Sequence, residues 1–181
     1  MEKRYRYDDV SYFWRVKLTG VFCALVCLAA LYLALFGGVY RGVFGFISFV
    51  AFYSFWNIFV SRSNPGEIIL EEEGITFLSF GRKDKYLFSE ITSFLVKDFR
   101  TSGKLYIRVN NANLFKGRYW FNFLMCNDGE ELYLFLLKLE YKTHPASLKA
   151  KAWDSTKPGV DKTPVLPWNL PPETGEKEKG K

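Results

Sequence analysis

LTGVFCALVCLAALYLALFGGVYRGVFGFISFVAFYSFWNIFV, residues 18–60, is a run of apolar and aromatic residues with one formal charge, Arg41, set among Gly37, Gly38, Gly42 and Gly45. One straight helix of that length would reach about 64 Å, roughly twice the ~30 Å of a hydrocarbon core, so the run must double back. It reads as two membrane spans, near Leu18–Val39 and Val43–Val60, with Arg41 and Gly42 at the turn. At the tip Arg41 can reach water, which makes it a poor part of an ion path. Trp56, with Tyr12 and Trp14 on the approach to the first span, suits the headgroup boundary.

Charge sets the orientation. Lys3, Arg4, Arg6, Arg15 and Lys17 precede the first span, whereas the turn offers Arg41 alone; this bias puts the N-terminus in the cytoplasm. Two spans return the chain to the same side, in keeping with Arg62, Arg82 and Lys83, so both termini are expected there. The apolar stretch runs straight into a second one, and is read as an uncleaved span rather than a signal peptide.

The rest of the 181 residues has room for one small folded domain. A surplus of +6 charges is met most economically by the negative face of a membrane, and nucleic acid is not expected as a partner. Three cysteines give no disulfide framework. Cys23 and Cys27, at i and i+4, read as small residues packing between helices; a metal or redox pair is the alternative.

Beyond Asn64-Pro65-Gly66 the pattern changes to short alternating runs. Strands are expected at Glu67–Leu70, Ile75–Phe80, Lys85–Phe88, Ile91–Phe99, around Leu105, Ile107 and Val109, and at Tyr119–Cys126. Asn127-Asp128-Gly129 with Glu130 and Glu131 opens a helix to about Tyr141, whose apolar face is Leu132, Phe135, Leu136 and Leu139. Leu134 and Leu137 widen that stripe; they read as core or as the candidate partner surface, toward the spans or a second copy.

The order of these features resembles the pleckstrin-homology-like (PH-like) fold. Two spans, then "IILEEEGITF", then "YLFSEITSFLV", then a last strand and helix resemble the bacterial inner-membrane proteins with a cytoplasmic PH-like domain, including the YcxB-like group. The resemblance covers about residues 17–142. It implies a membrane α-helical hairpin plus an antiparallel β-barrel or sandwich capped by a C-terminal helix, with no biochemical activity to pass on. The expected division is a basic arm over 1–17, the hairpin over 18–60, the PH-like domain over 66–142 and a disordered Pro- and Lys-rich tail over 143–181.

Headgroup binding in eukaryotic PH domains uses basic side chains around the first hairpin. Here that turn reads Glu71-Glu72-Glu73-Gly74, whose acids repel a phosphoinositide. A second basic group, Arg82, Lys83 and Lys85, is the candidate contact for anionic lipid, with Arg100, Lys104, Lys116 and Arg118 on other expected loops. In the tail, Pro164 to Pro172 around Trp168 forms a polyproline-prone island. His144, the sole histidine, reads as exposed and inert.

No phosphate-binding loop, nucleophile elbow or paired metal motif is present in the sequence, so neither an enzyme nor a cofactor is expected. The expected function is a membrane-anchored adaptor that presents its domain to a protein partner or to itself. Two alternatives stay open: a toxin-immunity protein acting through its hairpin, and an anionic-lipid-handling protein.

Overall fold

The computed structural model describes residues 2–156. Helix α1, Asp9–Phe36, and helix α2, Arg41–Val60, are each long and apolar enough to cross a membrane. Only 11% of the most apolar window of α1, and 17% of that of α2, is buried, whereas the core helix of a soluble protein would be mostly covered. The first helix starts well before Leu18, so Arg15 and Lys17 ride on it; its charge-free part, from Leu18 to Phe36, measures about 28 Å. Both helices widen to π-helical turns at the same end, Phe13–Leu18 and Trp56–Val60.

Small residues let the two helices approach. Gly20, Ala30, Ser48 and Ala51 are buried between them, and a methyl group on Gly20 would lie 2.4 Å from the Phe59 ring. Ser48 Oγ donates to the Cys27 carbonyl at 3.2 Å and lies 3.5 Å from Cys27 Sγ, so Cys27 is a packing residue. Tyr40 closes the turn in the left-handed region at φ 62. Arg41 and Gly42 are the first residues of α2 rather than part of that turn, and Arg41 Nε donates to the Gly37 carbonyl at 2.8 Å.

The remainder forms two open antiparallel sheets, not a closed barrel. In the first, β1 (Glu2–Arg6), β2 (Glu67–Glu71), β3 (Gly74–Ser79) and β4 (Arg82–Leu87) pair in that order; in the second, β5 (Phe94–Phe99), β6 (Lys104–Val109) and β7 (Arg118–Asn122) do so. The stretch read as a basic arm supplies β1, which pairs along β2 from Glu2–Glu71 to Arg6–Glu67. The hairpin is therefore an insertion between two neighbouring strands, and the turn at Glu71–Gly74 joins the second and third strands rather than the first and second. Tyr5 is fully buried, and burial holds its phenol well above the ordinary range.

Alternation sends one side of each sheet into a shared core. Ile68, Leu70, Ile75 and Phe77 come from the first sheet, and Phe94, Leu105, Ile107 and Phe121 from the second. Helix α3, Gly129–Thr143, covers that core with Leu132, Phe135, Leu136 and Leu139. Its start departs from the expected cap: Asp128 is left-handed and makes no side-chain cap bond. Gly129 is required there, because a Cβ would lie 1.8 Å from the Phe123 carbonyl oxygen. Asn127 instead braces β1, accepting from Arg6 N–H at 2.8 Å and donating to the Arg4 carbonyl at 3.2 Å.

The expectation of disorder from residue 143 onward is corrected over its described part. Helix α4, Leu148–Thr156, folds back on α3: Ala150 is buried with Leu137 and Tyr141, and Trp153 packs on Tyr141 with ring centres 5.5 Å apart. Lys149 Nζ secures it by donating to buried Glu140 at 2.7 Å and to the Val96 carbonyl at 2.6 Å. The island around Trp168 lies outside the described residues.

Candidate functional site

The side chains singled out in the sequence do not converge. Arg82 points inward from β4 and donates through Nε to Asp84 Oδ1 at 2.9 Å. Lys83 and Lys85 project from the opposite, exposed side of the strand, where Lys85 is ion-paired with Glu71. Leu137 is buried beneath α4, so this half of the candidate partner surface is occupied by the chain itself, while Leu134 stays half exposed. His144 is half-buried rather than exposed; its Nε2 accepts from Phe94 N–H at 3.3 Å and ties the end of α3 to β5.

A buried polar network joins the two sheets. Tyr119 on β7 donates to Asp84 Oδ2 at 3.0 Å, its oxygen lies 2.8 Å from that of Tyr86, and its ring stacks on Phe77 at 4.0 Å. Burial is the first cause pushing the phenols of Tyr86 and Tyr119 above their ordinary range; the anionic Asp84 adds to it. With Asp84 satisfied from both sides, this is a cross-sheet tie. The thiol of Cys126 is likewise pushed up, by burial, to about 11, which keeps it protonated and a weak nucleophile near neutrality.

Open space is found where the domain meets the hairpin. Tyr12 donates to the Asn64 carbonyl at 2.9 Å, Phe80 packs against Tyr12 and Phe59, and Trp56 packs against Phe115. These contacts hold the domain-side ends of α1 and α2 against the domain. Two hollows remain between them. One, of about 680 Å³, is lined by Trp14, Arg15 and Thr19 of α1 and by Lys104 and Trp120 of the sheet. The other, of about 430 Å³, lies between Tyr53, Ser54 and Asn57 of α2 and Tyr106, Arg118 and Trp120. No carboxylate lines either.

The register explains this lining. On β5–β6–β7 the outward rows are Leu95–Arg108–Arg118, Lys97–Tyr106–Trp120 and Phe99–Lys104–Asn122. Tyr106 and Phe99 flank Trp120, with ring centres 4.6 Å and 5.6 Å from it. Asp98 faces the other way and accepts from Tyr133 of α3 at 2.7 Å. The face thus carries four cations and three aromatic rings, with Leu95 and Asn122, and no carboxylate. Lys104 and Arg118, expected on loops, are the first residues of β6 and β7.

Among the described residues no cluster of His, Cys, Asp and Glu is placed to hold a metal ion. Comparison of the chain with protein-family models, with curated proteins and with solved structures finds no match.

Proposed function

We propose that this chain is an integral membrane protein whose helical hairpin anchors a PH-like recognition domain against the cytoplasmic face of a bacterial inner membrane, and that it acts by binding rather than by turnover. The observation that carries this reading is the insertion of two apolar helices between β1 and β2. The first strand ends just before α1 begins and the second begins shortly after α2 ends, so the domain is held at the membrane surface by two covalent connections and has little freedom to swing away. Short antiparallel strands closed by a helix are also what the resemblance to the PH-like membrane proteins and the YcxB-like group leads one to expect, although that resemblance placed every strand after the spans. The cation bias of the N-terminal segment supports the cytoplasmic side.

The reading is tested in native membranes with a photo-crosslinking amino acid placed in turn at Lys83 and Leu134 on the domain and at Phe22 on the lipid-facing side of α1. An adaptor gives discrete protein adducts from Lys83 or Leu134. Adducts from Phe22 alone would move the function into the membrane, as a toxin-immunity protein requires. Release of the chain by alkaline carbonate would contradict the anchor itself.

A further inference from the structure

We propose that the outer face of the β5–β6–β7 sheet, where it meets the membrane-proximal turns of the hairpin, is a binding surface for the phosphate-bearing headgroups of anionic phospholipids. Arg15, Lys104, Arg108 and Arg118 are the phosphate contacts, and Trp14 and Trp120 the interfacial anchors. This rests on the membrane reading above and names the ligand of that same junction.

Three observations carry it. Arg108 and Arg118 stand directly opposite each other on paired strands, a like-charge arrangement that destabilises a sheet unless an anion sits between or above the pair. Arg118 Nη2 is buried with no hydrogen-bond partner, so a guanidinium donor at the edge of the smaller hollow is left for a ligand to satisfy. Among the described residues none of the four cations forms an ion pair, and no carboxylate lies on the face to offer one.

Position selects the source of the phosphate. The hollows reach Thr19 on α1 and Ser54 on α2, level with or beyond Gly20 and its contacts Ile58 and Phe59, so the face lies alongside the helices where headgroups pack. Trp14 and Trp120, both exposed, have the amphipathic rings suited to that depth. Guanidinium groups bind phosphate oxygens bidentately, and ammonium groups bind them as point charges.

The test uses the full chain in detergent, titrated with phosphatidylglycerol or with phosphatidylcholine and read by native mass spectrometry. The expected result is at least tenfold tighter binding of phosphatidylglycerol. K104Q/R108Q, which alters two exposed side chains, should weaken it about 25-fold, from about fivefold per cation. R118Q should weaken it about fivefold, and K83Q/K85Q should leave it within about twofold. Unchanged melting of each variant, by circular dichroism, separates lost contacts from lost fold. Equal binding of the two lipids, an unaffected K104Q/R108Q, or displacement of the lipid by equimolar glycerol 1-phosphate or a single-stranded oligonucleotide would overturn the proposal. Alkaline carbonate extraction separates the two readings: release of the chain overturns both, whereas retention without a preference for phosphatidylglycerol overturns this one alone.

Discussion

The two sheets share one core but present opposite outer faces. Outside the first sheet the signs are mixed and the charges answer one another: Arg4 pairs with Glu2 at 2.6 Å and with Glu67 at 3.6 Å, and Lys85 with Glu71. Outside the second sheet Lys97, Lys104, Arg108 and Arg118 stand together with no carboxylate among them. A face that neutralises itself needs only water. A face of one sign next to two apolar helices needs a counter-charge from elsewhere, and in this molecule that face adjoins the hairpin.

The core common to both sheets should be the costliest place to break the comparison. Phe77 is fully buried and stacked on Tyr119, so Phe77→Ala should destabilise the domain by about 3–5 kcal/mol, lowering its thermal midpoint by circular dichroism and removing both faces together.

Next comes the cross-sheet tie. Tyr119→Phe leaves Asp84 and Tyr86 each short of a partner and should cost about 1–3 kcal/mol. The same tie predicts alkaline sensitivity. The folded phenols of Tyr86 and Tyr119 hold their protons above the unfolded value of about 10, so the unfolded chain is the one that releases protons as pH rises. Stability should be fully present below about pH 10 and fall above it, with a shallower fall in Tyr119→Phe; melts at pH 8 and at about pH 10.5 measure this.

The outer faces should then separate by smaller effects. Lys85→Gln removes half of an exposed pair and should leave the thermal midpoint within about 2 °C. Arg108→Glu puts an acid opposite Arg118 and should raise stability by about 0.2–1 kcal/mol while lowering the preference for anionic lipid. A gain in stability with a loss of binding is the signature of a face kept for a ligand.

What the sequence disclosed follows from how locally each feature is encoded. The hairpin announces itself by continuous apolarity, and β6 by the alternation of Leu105, Ile107 and Val109. The first strand is not legible locally, because Glu2–Arg6 has only Tyr5 as an apolar residue facing the core and pairs with residues on the far side of the hairpin. Helix α4 is hidden in the sequence because Leu148–Thr156 reads as polar; its burial depends on Ala150 and Trp153 finding Leu137 and Tyr141, and the broad stripe at Leu137 is the local sign of it. The cationic face was illegible as a unit because its members come from three strands, and only the register brings Arg108 beside Arg118.

The central claim is a hairpin that crosses the bilayer twice and leaves the domain inside. Single cysteines at Gly38, in the open tip, and at Lys83, on the exposed side of β4, are probed on intact cells with a membrane-impermeant maleimide, against the background of the parent chain. The account predicts labelling of Gly38→Cys from outside and of Lys83→Cys only after lysis. Labelling of Lys83→Cys on intact cells, or protection of both positions until lysis, would contradict it.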